Sequence, residues 1–461
     1  MKTHGRVQIR IISAVLLISV TSRCAPAGDQ TNIRGLGMAR ASVASSRGLD
    51  AVGINPANLA LPDGGTVAVS LMPSGVAVGS DFLTYGLYNK FFTGVESPTG
   101  RVARNLSESD KQELLSAFPG GIGRIDAVAE GRPVGLAIRF GGFATFALTA
   151  TERVAATALV PASYAQFLLE GVTPGSAYDF SGAWGAAVWT REYALSAGFA
   201  LPSVPWFRDW SGGVSLKLVH GFAYAAVTRD NTWLSAGSEG VLDGNVDLAG
   251  VSSQADLGRY PFPAPAGSGI GVDIGLSATL NDFLTAGISV TDVGSLSWSG
   301  DVKEMYGQGR VHLDDPMNSA QRDSLENAVT GNTRDGGGFT TALPTTLRMG
   351  LQVELKNIPW VRNIVSLDMT AACDYRQGFS NYPGTGKVGR LSLGIEYRPW
   401  QFLPIRTGVA LGGEDHSNFA FGFGLKVWVM QLDIASDNLG WVFSHDSFSR
   451  GSVGMGFTVR I

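Results

Sequence analysis

The carboxyl-terminal stretch RGSVGMGFTVRI, residues 450–461, alternates between two kinds of side chain. Val453, Met455, Phe457 and Val459 share one parity, and glycine, small hydroxyl side chains and arginine occupy the other. Successive side chains of a strand point to opposite faces. The stretch therefore predicts a strand with one apolar face and one polar or small face.

Three upstream runs, at residues 391–398, 405–412 and 418–426, alternate in the same way. Proline, glycine and short polar residues separate them, which are the residue types of turns. The pattern predicts antiparallel hairpins that continue to the last residue. Their apolar face fills the core of a soluble sandwich or meets lipid, and lipid is compatible with strands only when the sheet closes into a barrel.

Composition favours the barrel. Charged residues make up 16% of the 461 residues, whereas soluble domains have about 25%, and 61 residues are glycine. A formal net charge of −4 gives no basic excess, so a nucleic-acid partner is not expected. Few charges, many glycines and alternating strands suit a wall that faces lipid on one side.

The amino terminus has the three parts of a secretory signal peptide. These are positive charges at Lys2, Arg6 and Arg10, an apolar run over residues 11–20, and the small residues 25–27. We predict a signal peptide over residues 1–27. A lipoprotein anchor at Cys24 is disfavoured by the preceding Arg23. Removal of Cys24 leaves Cys373 as a lone thiol, which can form neither an internal disulfide nor a metal cluster.

Residues 28–65 differ from the strands that follow them. Asn55 is suited to cap a short helix, and Pro56 fits its first position, where no backbone N–H is needed. Residues 62–65, Pro-Asp-Gly-Gly, end this unit. We predict an N-terminal segment over 28–65 and a barrel over 66–461.

The barrel region is predicted to have about 14 strands, within the range of single-chain barrels. Residues 81–92 are predicted to form an aromatic-rich strand, and 124–129 and 133–140 two separate strands. Short helices are expected at residues 107–118, 164–169 and 315–329, the last starting at Pro316. Residues 301–340, the longest interruption, fit a long outer loop. Trp206, Phe207 and Trp210 flank a turn, as in an interfacial aromatic girdle.

A resemblance to a known group follows from these residues. The glycine-rich GLGMA at residues 35–39, the Asn55-Pro56-Ala57 turn before the first strand, and the glycine-alternating strands up to the terminus resemble FadL-type outer-membrane barrels. That group includes fatty-acid transporters and the shuttle barrels of type IX secretion, and the likeness is strongest to a poorly characterised branch. It implies that residues 28–65 form a hatch inside the barrel, with Asn55, Pro56 and Ala57 in a structural role. Ile461 departs from the aromatic residue that often ends such barrels.

The sequence gives only weak signals for catalytic or metal-binding residues. Ser444, His445, Asp446 and Ser447 are suitable types for hydrolysis, but consecutive residues point apart. Asp433 and Asp437 offer too few oxygens for calcium. We therefore expect no enzyme activity, no cofactor and no metal, and the sequence marks no ligand-binding residue.

The sequence thus predicts an all-β, closed, antiparallel transmembrane barrel with a small N-terminal hatch and short helical insertions, located in the cell outer membrane. The expected function is a passive channel or carrier for hydrophobic small molecules. The alternatives are a docking or structural barrel for an envelope or secretion system and, less favoured, a secreted β-sandwich binding protein. Expected partners are outer-membrane lipid, a hydrophobic ligand, and envelope or secretion-system proteins.

Overall fold

The computed structural model describes residues 29–461 except 99, 240, 257, 259–261, 316–317, 363–367, 381, 414–416, 441–445 and 447. The predicted signal peptide, Pro316, His416 and His445 therefore lie outside the described residues. None of the helices in the described part has the length and apolar run needed to cross a bilayer.

The strands of the described residues are β1 (Val67–Ser80), β2 (Val95–Ser97), β3 (Gly100–Val102), β4 (Ile122–Phe140), β5 (Ala144–Pro161), β6 (Ala177–Asp179), β7 (Trp184–Ala200), β8 (Asp209–Asp230), β9 (Trp233–Ala236), β10 (Leu242–Gln254), β11 (Gly267–Thr279), β12 (Leu284–Trp298), β13 (Lys303–Leu313), β14 (Asn332–Asp335), β15 (Phe339–Ala342), β16 (Thr346–Glu354), β17 (Met369–Gly378), β18 (Arg390–Trp400), β19 (Leu403–Gly412), β20 (Ser417–Val427), β21 (Met430–Ser436) and β22 (Arg450–Arg460). The α-helices are α1 (Ile33–Gly37), α2 (Tyr85–Phe92), α3 (Glu108–Ser116), α4 (Ala162–Glu170), α5 (Ser319–Thr330) and α6 (Pro359–Arg362). Short 3₁₀ helices occupy Gly48–Ala51, Pro56–Ala60, Pro119–Gly121 and Leu355–Asn357.

Fourteen of these strands close into one antiparallel barrel. Their order around the wall is β1, β4, β5, β7, β8, β11, β12, β16 to β22, and β22 pairs back onto β1. The predicted strand number is confirmed, and the soluble sandwich is excluded because the sheet has no second layer to pack on. Apolar side chains such as Leu393 (45% exposed) and Met455 (56%) point outward, while Glu396 and Arg406 on the same sheet are 1% exposed and point into the lumen.

The two ends of the barrel differ. The end that holds Thr66 and Ile461, here the turn end, has short connections such as residues 141–143 and 401–402. The other end, here the loop end, has the long connections. β8 has 22 residues, which at about 3.3 Å per residue is roughly 70 Å, well beyond an apolar band of about 25 Å. Strands β6, β9, β10, β13, β14 and β15 pair along this projection and form an extension at the loop end.

Three local predictions are corrected. Residues 85–92 form helix α2 and not a strand, because the Thr84 hydroxyl caps the Leu87 N–H at 3.2 Å and the rings of Tyr88 and Phe92 stack one turn apart. The two strands expected at 124–140 are one strand, β4, whose Pro133 sits at a bulge. Residues 301–340 hold β13 and β14 as well as a helix, so much of the expected loop is sheet.

The helix predictions are confirmed within a few residues. Helix α3 has a capping box in which Ser107 and Asp110 satisfy each other's backbone N–H groups. Helix α4 covers 162–170, and α5 begins after an Asn318 cap. The turn that holds Trp206, which is 81% exposed, joins β7 to β8 at the turn end, where an interfacial girdle requires aromatic side chains.

The first and last strands of the barrel, β1 and β22, form backbone pairs along only part of their length. β1 and β22 pair from Ala68–Arg460 to Leu71–Phe457. Met72 then adopts a positive φ of 49°, and the strands meet again where the Ser80 N–H donates to the Ser449 carbonyl at 2.9 Å. Between these points, in stretches that are fully described, no ladder pair joins them.

The inner face of the seam between these two strands is covered by helix α1. A Cβ atom on Gly454 would lie 2.6 Å from Leu36 Cδ1, and one on Gly456 would lie 3.0 Å from Ile33 Cγ1. Ile33 and Leu36 also pack on Ala435 and are nearly or fully buried. The N-terminal segment therefore fills the space behind the incomplete ladder.

Candidate functional site

Residues 29–65, the luminal segment, occupy the barrel interior and are mostly buried. The segment consists of α1, two 3₁₀ helices and turns, so its backbone polar groups need partners from the wall. It approaches the wall at glycine positions distributed around the barrel. The inward-facing glycines whose added Cβ would come within 3.0 Å of the segment include Gly75, Gly198, Gly213, Gly275, Gly287, Gly350, Gly394, Gly408 and Gly454.

Asn55, Pro56 and Ala57 lie at the start of the second 3₁₀ helix of the segment. The Asn55 side chain is fully buried, accepts from the Ala57 N–H at 3.2 Å and donates to the Leu276 carbonyl of β11 at 3.1 Å. The wall hydroxyl of Ser211 donates to the Ala57 carbonyl at 3.0 Å. The structure thus brings all three residues together against the wall.

Ion pairs join the segment to strands β16 and β18 of the wall. Arg348 of β16 holds both carboxylate oxygens of Asp29, at 2.6 and 3.0 Å. Arg34 of α1 donates to both oxygens of Glu396, at 2.8 and 3.2 Å. Fork-shaped guanidinium–carboxylate pairs of this kind restrict orientation as well as distance.

A third pair is buried deeper. Arg40 Nε donates to Asp437 Oδ2 at 2.9 Å, and Arg450 Nη2 reaches the same oxygen at 3.0 Å. Asp433 contacts Arg406 at 2.5 Å. Asp433 and Asp437 are therefore engaged by arginines, and the described residues contain no group of three or more His, Cys, Asp or Glu side chains that could hold a metal ion.

Carboxylates also hold the segment through its backbone. Asp374 of β17 accepts from the N–H groups of Ser42 and Val43, at 2.5 and 2.7 Å. Glu130 of β4 accepts from the Gln30 N–H at 3.0 Å. The sequence did not predict these contacts, because Glu130 falls between the strands expected at 124–129 and 133–140, and Asp374 lies more than 300 residues from its partners.

A cavity, part of it open to solvent, lies between the segment and the wall. Its floor includes Val52–Ile54, and Tyr382 and residues 343–344 reach it from loop-end connections. Seven ionisable side chains line it, four acidic (Asp29, Glu130, Glu192, Asp292) and three basic (Arg132, Arg153, Lys217). Charges this numerous favour a hydrophilic occupant over an apolar one.

Cys373 and Asp446, which the sequence also raised as candidates, do not line this cavity. Cys373 lies on the outward parity of β17, and His220 on that of β8, edge-on to the ring of Tyr193 at 5.5 Å. Ser444, His445 and Ser447 lie outside the described residues. Asp446 is exposed, and its carbonyl accepts from the Gly86 N–H at 2.9 Å.

Comparison with solved structures finds barrels of similar fold. The Pseudomonas putida toluene transporter TodX is 10% identical, with 92% of this chain and 96% of that chain covered and a TM-score of 0.47. A FadL homologue from Pseudomonas aeruginosa is 14% identical, with 95% and 100% covered and a TM-score of 0.46. These neighbours include barrels of the FadL type, the group that the sequence resembles.

No curated protein matches the chain. One family model does, and it matches residues 124–437, which is more than half of the chain. The protein therefore belongs to the family described as a family of unknown function, DUF5723.

Proposed function

We propose that the protein is a passive channel of the outer membrane whose lumen is closed at rest by its own luminal segment. The observation that carries this proposal is the close contact of residues 29–65 with inward-facing glycines on strands all around the wall. A concentration gradient drives transport. The expected boundaries, a signal peptide over 1–27, a hatch over 28–65 and a barrel over 66–461, are part of the proposal.

The outer surface supports the membrane location. Outward side chains such as Leu411, Phe423 and Val453 are apolar and exposed. Exposed aromatic residues, including Trp400 and Trp428, cluster at the turn end. Barrels of the outer membrane have short periplasmic turns and long outer loops, so the turn end faces the periplasm in this proposal.

The cargo has two candidates. The resemblance implies hydrophobic small molecules, and an aromatic cluster of Tyr224, Trp298 and Phe339 packs at the loop end of the lumen. The charged lining of the cavity below favours a hydrophilic solute instead. Because the cavity adjoins the luminal segment directly, we favour the hydrophilic solute.

Deletion of residues 28–60, with the signal peptide retained, tests the closure. We expect higher conductance than the full-length protein in planar bilayers, because the deletion removes the side chains that fill the lumen. Resistance to unfolding in SDS without heating serves as the control that the deleted variant remains a barrel.

A folded deletion variant with the conductance of the full-length protein contradicts closure by this segment and favours the docking barrel. Cell fractionation tests the location independently. Recovery of the intact protein from the soluble periplasm would remove the membrane assignment.

A further inference from the structure

We propose that the cavity binds a compact, hydrophilic solute with one anionic group, and that Arg132 is the residue that recognises it. The inference deepens the proposed channel function by naming the class of its solute. It is carried by a buried guanidinium that has no carboxylate in contact and lines a cavity.

Arg132 lies on the inward parity of β4, directly before a bulge. The β1–β4 ladder runs through Ser74–Gly131 and resumes at Leu71–Val134, which leaves Arg132 and Pro133 unpaired. Proline is tolerated within a sheet at such bulges. Arg132 shares the inward parity of Val128 and Glu130 and is 5% exposed, and the inward parity changes only beyond Pro133.

The existing contacts of Arg132 do not neutralise its charge. Nη1 donates to the Leu49 carbonyl at 3.1 Å and Nη2 to the Thr31 hydroxyl at 3.2 Å, and both acceptors are neutral. Its Nε atom is buried and has no hydrogen-bond partner. Within the described part of the chain, no carboxylate oxygen lies within ion-pair distance of this guanidinium.

Three other buried luminal cations contact carboxylates. Arg348 contacts Asp29, Arg406 contacts Glu396, and Lys217 Nζ lies 2.7 Å from Asp292. A buried charge without a contacting partner is costly. Glu130, Asp50, Glu192 and Asp29 offset part of this cost from a longer distance, and an anion in direct contact with Arg132 offsets more of it. Nε and a neighbouring Nη present the fork that a carboxylate or phosphate accepts with two oxygens.

The remaining lining restricts the ligand to one negative charge and a small size. Arg153 lies 3.7 Å from Glu130 and adds positive charge near Arg132. Asp29 is held by Arg348, and Glu192 lies 3.5 Å from Lys217, yet both carboxylates and Asp292 still face the cavity and repel a multiply charged anion. The apolar lining is confined to a few side chains, which is too little to cover a long hydrocarbon chain.

Binding of acetate, inorganic phosphate and octanoate to the purified full-length protein tests the proposal. Calorimetry and the shift of the unfolding temperature are measured in detergent at constant ionic strength, since a ligand that binds only the folded state raises that temperature. Arg132→Gln is compared with Arg139→Gln. Arg139 is the matched control because it lies on the same strand and also donates to carbonyls of the segment, those of Ala60 and Leu61, but does not line the cavity.

We expect acetate to bind the wild type and Arg139→Gln, and to bind Arg132→Gln at least tenfold more weakly. Octanoate should bind the wild type no more than about threefold tighter than acetate, because a tail gains little apolar surface. Arg132→Lys, which keeps the charge without the fork, should retain part of the affinity and replaces Arg132→Gln if that variant does not fold.

Equal acetate affinity of the wild type and Arg132→Gln overturns the proposal. Arg132-dependent binding of octanoate at least tenfold tighter than acetate also overturns it and assigns the cavity to an amphiphile. If phosphate binds more tightly than acetate, the inference that the ligand carries a single negative charge is wrong. The binding assay does not depend on transport. An absence of acetate binding therefore does not affect the conductance test of the channel, and an unchanged conductance does not affect the binding result.

Discussion

Gly213→Ala should loosen the closed lumen while the barrel remains intact. Gly213 faces the lumen on β8, against the start of the second 3₁₀ helix of the luminal segment. A Cβ atom there would lie 2.2 Å from the Pro56 carbonyl carbon and 2.3 Å from the Ala57 nitrogen. Both are backbone atoms, so no side-chain rotation relieves the contact.

The size of the effect follows from this distance. Non-bonded heavy atoms sit comfortably at about 3.5 Å, so the segment must retreat by roughly 1 Å from β8. Overpacking of this kind costs about 1–3 kcal/mol. If the closed state alone bears that cost, the population with a displaced segment rises about 5- to 150-fold.

Two measurements report the displacement. The first is the frequency of open events in planar bilayers, and the second is the rate at which thermolysin cleaves the segment in detergent-solubilised protein. Gly212→Ala is the matched control, because its neighbouring Cβ would lie on the outward face, 3.4 Å from the flexible end of the Leu201 side chain. If Gly213→Ala and Gly212→Ala show the same open frequency and the same cleavage rate, the argument that the luminal segment contacts the wall at Gly213 is refuted.

Three further predictions concern the lumen, the outer face and the loop end. Asp437→Asn leaves Arg40 without its anion and should destabilise the barrel by about 3–5 kcal/mol, seen as a lower unfolding temperature on SDS gels; an unchanged temperature contradicts the pairing. Leu393→Arg places a charge on the lipid face at a cost of about 2–4 kcal/mol at mid-membrane and should reduce insertion into liposomes, and normal insertion would place Leu393 elsewhere. The pKa of His312 is raised above 6.5 by its hydrogen bond to the Asp243 carboxylate, so this contact contributes fully below the unfolded-state pKa and is lost as pH rises through the folded-state pKa. NMR titration should show that Asp243→Asn returns the pKa of His312 toward 6.5, and no change would contradict the contact.

The barrel was predictable because a lipid-facing wall imposes period-two alternation, which a single sequence displays directly. The helix at 108–116 was predictable for a similar reason, since the capping residues Ser107 and Asp110 lie close together in sequence. The strand prediction over residues 81–92 was wrong because aromatic residues favour strands, whereas here two of them stack along a helix.

The luminal contacts were not predictable in detail because their partners are far apart in the chain. The sequence left Asp437 in the lumen or in a solvated loop, and nothing local identifies Arg40, nearly 400 residues away, as its partner. Arg132 was missed for a related reason. Pro133 indicates a break in β4 when only local signals are considered, so Arg132 fell between the two predicted strands although it shares the inward parity of Glu130.

The partly laddered seam has a consequence for how the molecule holds its shape. The backbone groups of β1 from Ser74 to Gly79 have ladder partners on the β4 side only, and Ile33 and Leu36 pack against Gly454 and Gly456 of the facing strand. The luminal segment, which closes the lumen, is therefore also a structural part of the barrel wall. Removal of the luminal segment should therefore speed hydrogen–deuterium exchange between β1 and β22 before it does so elsewhere in the barrel. Opening of the pore and weakening of the contact between the first and last strands then occur together.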